Sequence, residues 1–568
     1  MVDGMIETKD LVDLPLFAGA DPTFLARIAA SAADVRVNAG EYVAHEGEST
    51  GFFVLLSGKL EVTKRAGRSE TVLVERETPG DYFGELPLLF STNAFASLRA
   101  KTAARLARIE AIEFRMLLAK VPAFSDAMLA TIADRIEGVR DAVSEAPLVT
   151  AMVVGRRFDS ACHDVRDFLA RNHVSYAYFD IDDPSTRTCV PEVDAAGDRC
   201  PIVKVMETGL LLVEPTLGEL ARAVGIRTEP GDACYDVAIV GGGPAGLAAA
   251  VYGASEGLRT VLLEREAPGG QAGTSSRIEN YLGFPNGISG DELAKRAYAQ
   301  ATRFGADLVV TRTVRAIALG EDAHVLTLDD ATQVRARSIV LATGVAWRKL
   351  DVEGLERFVG SGVFYGAART EAASTQGRDI YLVGAGNSAG QAAMYFSDYA
   401  QSVTLVVRGD SLEKSMSDYL IRELHTKANV RFLLSSEIVR VYGESRLEAI
   451  EIRDRATAST RRCETNFVFV FIGADAETAW LPPQIARDAR GYVVTGIRTA
   501  TCDLVKPWPL ERDPFHLETS VPGVFAAGDV RADSVKRCAS AVGEGSMAIA
   551  FAHQHFAERA NAPAAAVR

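Results

Sequence analysis

Alternation of apolar and polar positions divides the chain into three stretches. From Val35 to Ile109, short alternating runs are separated by the turn formers Asn38-Ala39-Gly40, Glu46-Gly47-Glu48, Ser57-Gly58 and Pro79-Gly80-Asp81. Such runs predict a small antiparallel β-barrel or jelly roll, closed by a helical stretch over Ala111–Val143. The second stretch, Leu148–Ile226, alternates strand and helix. Strands are predicted over Val149–Val154, Tyr176–Ile181 and Ile202–Met206. Helices are predicted over Ser160–Asn172, with Val165, Phe168 and Leu169 on one face, and over Leu217–Val224. Its length suits one small α/β domain, and Pro201, just before a strand, is a place where a cis proline fits. In the third stretch, Ala233 to about Arg559, apolar strands alternate with helices as in a doubly wound parallel sheet. The segments Ser144–Pro147 and Arg227–Asp232 read as linkers.

Two glycine-rich turns stand out in the third stretch. Gly241-Gly242-Gly243-Pro244-Ala245-Gly246 follows the apolar run Asp236–Val240, and Gly384-Ala385-Gly386-Asn387-Ser388-Ala389 follows Asp379–Val383. The first glycine of such a turn permits a tight bend, the second lets backbone approach a pyrophosphate, and the third position packs helix on strand. The helix N-terminus then offers N–H groups to phosphates. Two such turns imply two dinucleotides, and hence electron transfer between them. After the first, the strand Thr260–Leu263 ends in Glu264, an acid placed to bind the hydroxyls of an adenosine ribose. After the second, the strand Ser402–Val407 ends in Arg408, which suits the 2′-phosphate of NADP. The other reading of Arg408 is a solvated charge at a strand end.

Composition narrows the class. A chain of 568 residues exceeds the size of one core, which stops growing near roughly 250–300 residues. Its 48% hydrophobic and 24% charged content is ordinary for a globular protein, and a net charge of −14 argues against nucleic acid or an anionic membrane as partner. Met1–Asp10 is acidic without an apolar core, so no signal peptide is expected and the cytoplasm is the expected location. The uncharged stretch Val237–Ala254 contains the first glycine turn and reads as a buried strand–turn–helix, so no membrane span is expected. Seven cysteines (Cys162, Cys189, Cys200, Cys234, Cys463, Cys502, Cys538) include no CxxC pair and read as reduced thiols, with no metal site expected.

The third stretch resembles the low-molecular-weight thioredoxin reductase family of FAD- and NADPH-binding flavoproteins. Five motifs carry the resemblance, in order: Gly241–Gly246, Gly269-Gly270-Gln271, Ala342-Thr343-Gly344, Gly384–Ala389, and Pro522-Gly523-Val524-Phe525-Ala526-Ala527-Gly528-Asp529. The resemblance implies an α/β fold with two Rossmann-like domains. An FAD domain would be split into 233–348 and 474–568, with an NADPH domain inserted at 349–473. It implies that Gly241, Gly243, Pro244, Ala245, Gly246, Glu264, Thr343 and Gly344 serve FAD, with Gly528 and Asp529 on its ribityl–pyrophosphate region. Gly270, Gln271 and Asn280 match positions near the flavin, and Arg537-Cys538-Ala539 stands where the family has Arg-Gln-Ala beside the isoalloxazine. Gly384, Gly386, Asn387, Ser388 and Arg408 would serve NADPH. Relatives are homodimers whose NADPH domain swings between two orientations. One departure matters: where the family's redox CxxC follows Gly-Val-x-Tyr, this chain has Gly362-Val363-Phe364-Tyr365 followed by Gly366-Ala367-Ala368-Arg369. A flavin-to-dithiol relay needs one thiol that attacks and one that resolves, and neither is present here. No protein residue is assigned a catalytic role, since the flavin carries the electrons. Cys538 reads either as a thiol near the flavin or as a small buried residue.

The other two stretches carry resemblances of their own. Residues 148–227 are similar to thioredoxin- or glutaredoxin-like domains, with the turn Asp159-Ser160-Ala161-Cys162 and Cys200-Pro201 before a strand. Asp159 replaces the nucleophilic cysteine. The domain reads as a redox-silent docking module, or as a thiol site in which Cys189 or Cys200 partners Cys162. Residues 1–145 resemble cyclic-nucleotide-binding domains through Phe83-Gly84-Glu85-Leu86-Pro87-Leu88-Leu89, where Glu85 matches the ribose-binding glutamate. The arginine that neutralises the cyclic phosphate is Ala94 here, and Arg99 lies further along. Losing such a charge-assisted bond costs roughly 1.5–3 kcal/mol, which predicts an altered sensor or interaction module. Three functional readings stay open. One is an NADPH-to-FAD oxidoreductase with an unidentified acceptor. The second is a thiol–disulfide reductase acting through Cys162 or a separate dithiol protein. The third is a signalling flavoprotein.

Overall fold

A computed structural model describes residues 6–46, 51–66, 69–90, 94–129, 149–183, 186, 190, 199–275, 277–285, 287–366, 369–501 and 507–561. The chain separates into two units, Met1–Leu148 and Val149–Arg568. In the first, α1 (Thr8–Val12) and α2 (Pro22–Ser31) precede eight strands: β1 (Ala33–Val37), β2 (Tyr42–Ala44), β3 (Phe52–Ser57), β4 (Leu60–Ala66), β5 (Ser69–Arg76), β6 (Tyr82–Phe83), β7 (Ser97–Ala100) and β8 (Ala104–Ile109). Helix α3 (Glu85–Phe90) interrupts the strands and α4 (Ala111–Lys120) follows them. The strands form two four-stranded antiparallel sheets, β1-β8-β3-β6 and β2-β7-β4-β5, as the alternating pattern predicts. Phe52, Phe114 and Phe124 pack ring against ring, with Phe17 on Phe124, between the first sheet and the helices. The predicted helical stretch beyond residue 129 and the linker Ser144–Pro147 lie outside the described residues.

The second unit begins with a small α/β domain. Its elements are β9 (Ala151–Gly155), α5 (Ser160–Arg171), β10 (Tyr176–Asp180), β11 (Ile202–Val205), β12 (Leu211–Val213) and α6 (Leu217–Ala223). The sheet order is β10-β9-β11-β12. β9 runs parallel to β10 and antiparallel to β11. Val165, Phe168 and Leu169 of α5 pack on Ala151, Val153 and Val203 of this sheet. The Asp159 carboxylate accepts the Cys162 backbone N–H at 2.9 Å and caps α5. The Cys200–Pro201 peptide is cis.

The next sheet is built from β13 (Cys234–Val240), β14 (Thr260–Glu264), β15 (Asp307–Val310), β16 (Val314–Ala318), β17 (His324–Leu328) and β18 (Gln333–Leu341), with α7 (Pro244–Ser255) and α8 (Gly290–Arg303) between strands. β13 is apolar at almost every position because it is covered on both faces. Val237 and Ile239 enter one core, while Ala238 and Val240 enter the other. Each such fully buried branched side chain contributes roughly 1.5–3 kcal/mol. At β18 the chain leaves through β19 (Ala346–Trp347) into a second parallel sheet. That sheet contains β20 (Val363–Tyr365), β21 (Asp379–Val383), β22 (Ser402–Val406) and β23 (Val430–Leu433), with α9 (Asn387–Phe396) and α10 (Asp418–Thr426). A three-stranded antiparallel sheet, β24 (Ser436–Tyr442), β25 (Ala449–Asp454) and β26 (Thr460–Glu464), adjoins it, and β27 (Val468–Val470) returns between β20 and β21. The order is β20-β27-β21-β22-β23, all parallel. The chain comes back through β28 (Ala474–Asp475), paired antiparallel with β19. β29 (Val524–Ala526) then joins β18 in the first sheet, making it seven-stranded, before α11 (Cys538–Asn561) packs on α7. The five-stranded domain is thus inserted into the seven-stranded one. Among the described residues no helix is long and apolar enough to cross a membrane. The uncharged stretch 237–254 is the buried β13–turn–α7 unit.

Candidate functional site

Four turns meet at the carboxyl ends of the parallel strands of the seven-stranded sheet. The β13–α7 turn is held against the turn after β18. Gly241 has φ +105°, and a Cβ on it would lie 2.4 Å from the Ala342 carbonyl oxygen and 3.0 Å from Thr343 Cα. A Cβ on Gly246 would lie 1.9 Å from the Gly241 carbonyl oxygen, so only glycine lets α7 approach the strand this closely. Gly243 is the N-cap of α7 and supplies no side-chain acceptor, and a Cβ there would meet nothing within 4 Å. By contrast, α2, α5, α6 and α8 are capped by Asp21, Asp159, Thr216 and Ser289. An uncapped helix start beside open, Cβ-free backbone fits a pyrophosphate. Pro244 and Ala245 form the first turn of α7.

The other turns complete the cradle. The Gly269 N–H donates to the Gly242 carbonyl at 2.7 Å, and a Cβ on Gly270 would lie 3.2 Å from Gly243 Cα. Gln271 Nε2 donates to the Val345 carbonyl at 2.5 Å and ties this turn to Thr343-Gly344. Glu264, at the end of β14, is buried and accepts the Gly242 N–H at 2.6 Å and the Glu266 N–H at 2.8 Å. Burial pushes its carboxyl above the usual range, and the two N–H donors oppose that shift. The Gly528 N–H donates to Glu544 of α11, and Gly528 lies against Ala245 of α7. Next to it Asp529 is half-buried. Desolvation raises its carboxyl and Lys536 draws it down. Cys538 begins α11 beside Asp529, and burial with the Asp529 charge raises its thiol, so it is held as S–H. Arg537, Ala539 and Asn280 are exposed.

The β21–α9 turn repeats the plan on the five-stranded sheet. Gly384 has φ +142°, and a Cβ there would lie 2.4 Å from the Phe471 carbonyl oxygen. Gly386 is the N-cap of α9, again without a side-chain acceptor and with open space beside it. Ser388 is exposed. Asn387 is committed to the scaffold, its Oδ1 accepting the Ser417 N–H at 2.7 Å. Arg408 is exposed two residues past β22. Arg455, from the β25–β26 turn, donates to the Arg408 carbonyl at 3.1 Å, so a second guanidinium stands at this end of the sheet. Sequence reasoning missed it because nothing local ties Arg455 to Arg408.

Residues 235–545, more than half of the chain, match the family model described as pyridine nucleotide-disulphide oxidoreductase. The chain belongs to that family. It is 33% identical to a thioredoxin reductase of Mycolicibacterium smegmatis over 325 residues, covering 57% of this chain and 97% of the relative. It is 31% identical over 320 residues to a 34.2 kDa protein in the rubredoxin operon of Clostridium pasteurianum, covering 56% and 96%. Among solved structures, the Lactococcus lactis thioredoxin reductase in its FR conformation is matched at 29% identity and TM-score 0.51, over 57% of this chain and 99% of that one. Residues 34–121 match the cyclic nucleotide-binding domain model. The protein is therefore a thioredoxin-reductase-like flavoprotein oxidoreductase of this family, with FAD and NADPH as its cofactors, and it carries a cyclic-nucleotide-binding module.

Two features of this chain bear on where electrons can leave the flavin domain. The chain has no CxxC, and the segment after β20 begins Gly366-Ala367-Ala368-Arg369, of which Ala367 and Ala368 lie outside the described residues. Helix α5 of the small domain packs on this segment. The buried Glu371 carboxylate accepts from Arg166 Nη2 at 2.9 Å and faces His163 Nδ1 at 2.9 Å. A Cβ on Gly360 would lie 3.0 Å from Ser160 Cα. The far end of the same helix reaches the seven-stranded domain. Arg171 pairs with Glu266 at 3.0 Å, Asn172 Nδ2 donates to the Glu266 carbonyl at 3.3 Å, and His173 lies 3.4 Å from Asp291. One helix thus bridges both larger domains, and its far end contacts Glu266, two residues past Glu264 in the chain. In the first unit Glu85 is buried at the start of α3 and Ala94 is buried. Arg99 pairs with Glu61 at 2.6 Å and lies over the Tyr42 ring. Cys189 and Cys502 lie outside the described residues.

Proposed function

We propose that the protein carries two electrons from NADPH through FAD to an acceptor other than a dithiol of its own NADPH domain. The observation that carries this reading is the pair of intact, uncapped glycine turns in a chain whose relay segment reads Gly366–Arg369. FAD when bound supplies the two-electron carrier, taking hydride from the nicotinamide. Gly241, Gly243, Pro244, Ala245 and Gly246 hold its pyrophosphate against α7. Glu264 accepts the adenosine ribose hydroxyls while its other lone pairs stay on Gly242 and Glu266. Gly270, Gln271, Thr343, Gly344, Gly528 and Asp529 wall the ribityl and ring end, with Asn280, Arg537, Cys538 and Ala539 at its margin. Gly384, Gly386 and Ser388 hold the NADPH pyrophosphate and Arg408 its 2′-phosphate. Asn387 acts indirectly, by fixing Ser417. The domains are residues 233–348 with 474–568 for FAD and 349–473 for NADPH. The protein works as a cytoplasmic homodimer.

The cyclic-nucleotide-binding module serves as an altered sensor or docking domain, because Ala94 supplies no charge for a cyclic phosphate and Arg99 is held by Glu61. The test of the main reading is NADPH oxidation after alkylation of all thiols, with a quinone or one-electron protein as acceptor. Turnover retained after blocking supports it. Turnover seen only with disulfide acceptors, lost on blocking and unaffected by Cys162→Ser, overturns it.

A further inference from the structure

The small domain brings together three groups that the flavin chemistry does not use. β9 and β11 pair antiparallel, with Val154 opposite Ile202, so the end of β9 lies beside the start of β11. The α5 turn follows the first, and Cys200-Pro201 precedes the second. The Cys162 and Cys200 sulfurs and an Asp159 carboxylate oxygen consequently all lie within 4.8 Å of one another. Space for the Cys162 sulfur exists because residue 155 is glycine: a Cβ there would sit 2.3 Å from it.

The two thiols are not equivalent. Cys162 is fully buried, whereas Cys200 is half-buried, with the Arg156 guanidinium donating to its sulfur at 3.6 Å. Burial and a hydrogen bond to the Asp159 carboxylate keep Cys162 as a thiol. We propose that Cys162 and Cys200 form a redox couple that reduces a disulfide substrate, with Cys200 attacking, Cys162 resolving and Asp159 as the base.

The steps balance. Cys200 thiolate attacks one sulfur of the substrate disulfide R–S–S–R; the new bond is Cys200–S–R and the first RS⁻ leaves. Cys162 then gives its proton to the Asp159 carboxylate and attacks the Cys200 sulfur, expelling the second RS⁻. The Asp159 proton and one from solvent complete two RSH. Two protein thiols are oxidised to one disulfide, and one substrate disulfide is reduced to two thiols. An external dithiol reverses the sequence. None of these steps depends on the flavin assignment.

The test uses the full-length holoprotein and oxidised glutathione as probe, with acid quenching, alkylation and mass analysis. The expected result is loss of two free thiols together and a cross-link between the peptides carrying Cys162 and Cys200. Cys162→Ser should instead accumulate one glutathione on Cys200, and Cys200→Ser should accumulate none at either site. Asp159→Asn, which keeps a capping oxygen, should slow the second step about a hundredfold while leaving the first unchanged. Flavin absorbance of each variant reports folding, and Cys162→Ala repeats the trap with a different side chain. The proposal is overturned by absence of the cross-link, by a glutathione adduct on Cys162, or by equal slowing of both steps in Asp159→Asn. Stoichiometric zinc that survives chelator dialysis and prevents the cross-link would also overturn it, making the cluster a metal site.

Discussion

Gly246 and Ala389 occupy the same place in their two turns, and the methyl between them marks a difference in how the halves are built. In the seven-stranded domain the position must be glycine, because a Cβ would fall 1.9 Å from a carbonyl oxygen. In the five-stranded domain Ala389 carries its Cβ and is completely buried. The same contrast runs through the surroundings. Glu264 is buried and fixed by two backbone donors, and four turns close around its site. Ser388 and Arg408 are exposed, and Asn387 faces the scaffold. A deep, preformed cradle suits a cofactor retained through many turnovers, while exposed polar groups suit one that arrives and leaves each cycle.

Exchanging the residue at that position breaks the comparison most severely. Gly246→Val should yield protein purified without flavin, read from its absorbance. The reciprocal Ala389→Gly should keep the flavin and cost only about 1 kcal/mol of helix stability. Next in size is Glu264→Ala, which leaves the buried Gly242 N–H and the part-buried Glu266 N–H without their acceptor. At ~1–3 kcal/mol per stranded donor, FAD should dissociate on dilution at least tenfold more readily, measured by fluorescence of released flavin.

Acid sharpens the contrast through two buried histidines of the seven-stranded domain, His324 and His555. Burial, with the His555 and Arg559 charges, pushes His324 down to about 4, and burial lowers His555. A depressed histidine contributes stability that is complete above its unfolded pKa near 6.5 and is lost as pH falls towards the folded value. From His324 alone, lowering the pH from 7 to 5 should remove about 2 kcal/mol. Flavin release in urea should therefore shift to lower denaturant at pH 5, while intrinsic fluorescence of the isolated five-stranded half should shift less. The smallest effect falls on the visiting cofactor. Arg408→Ala should raise the NADPH KM about tenfold and leave the NADH KM unchanged, with Arg455 retaining part of the selectivity.

Both turns were legible in the sequence because their glycines answer to backbone demands that depend only on local spacing. Glu264 was legible for the same reason, as the end of the next strand. The jelly-roll sheets followed from period-two alternation, although β12 went unnoticed, being only three half-buried residues. What the sequence could not supply were contacts between distant segments. Asn387 belongs to the glycine motif, yet its side chain is used on Ser417. The bridge made by α5 joins Arg166 to Glu371 and Arg171 to Glu266, pairs far apart in the chain. Cys162 and Cys200 meet only because β9 and β11 pair antiparallel. Each depends on tertiary register, which no local pattern encodes.

The most direct test is an anaerobic NADPH titration of the Cys162→Ser chain, following flavin bleaching against equivalents added. If the flavin is the sole two-electron centre of its domain, bleaching is complete at one equivalent per FAD. Consumption of two equivalents would contradict the account, since a second dithiol would then stand in the relay that Gly366–Arg369 is held to have lost.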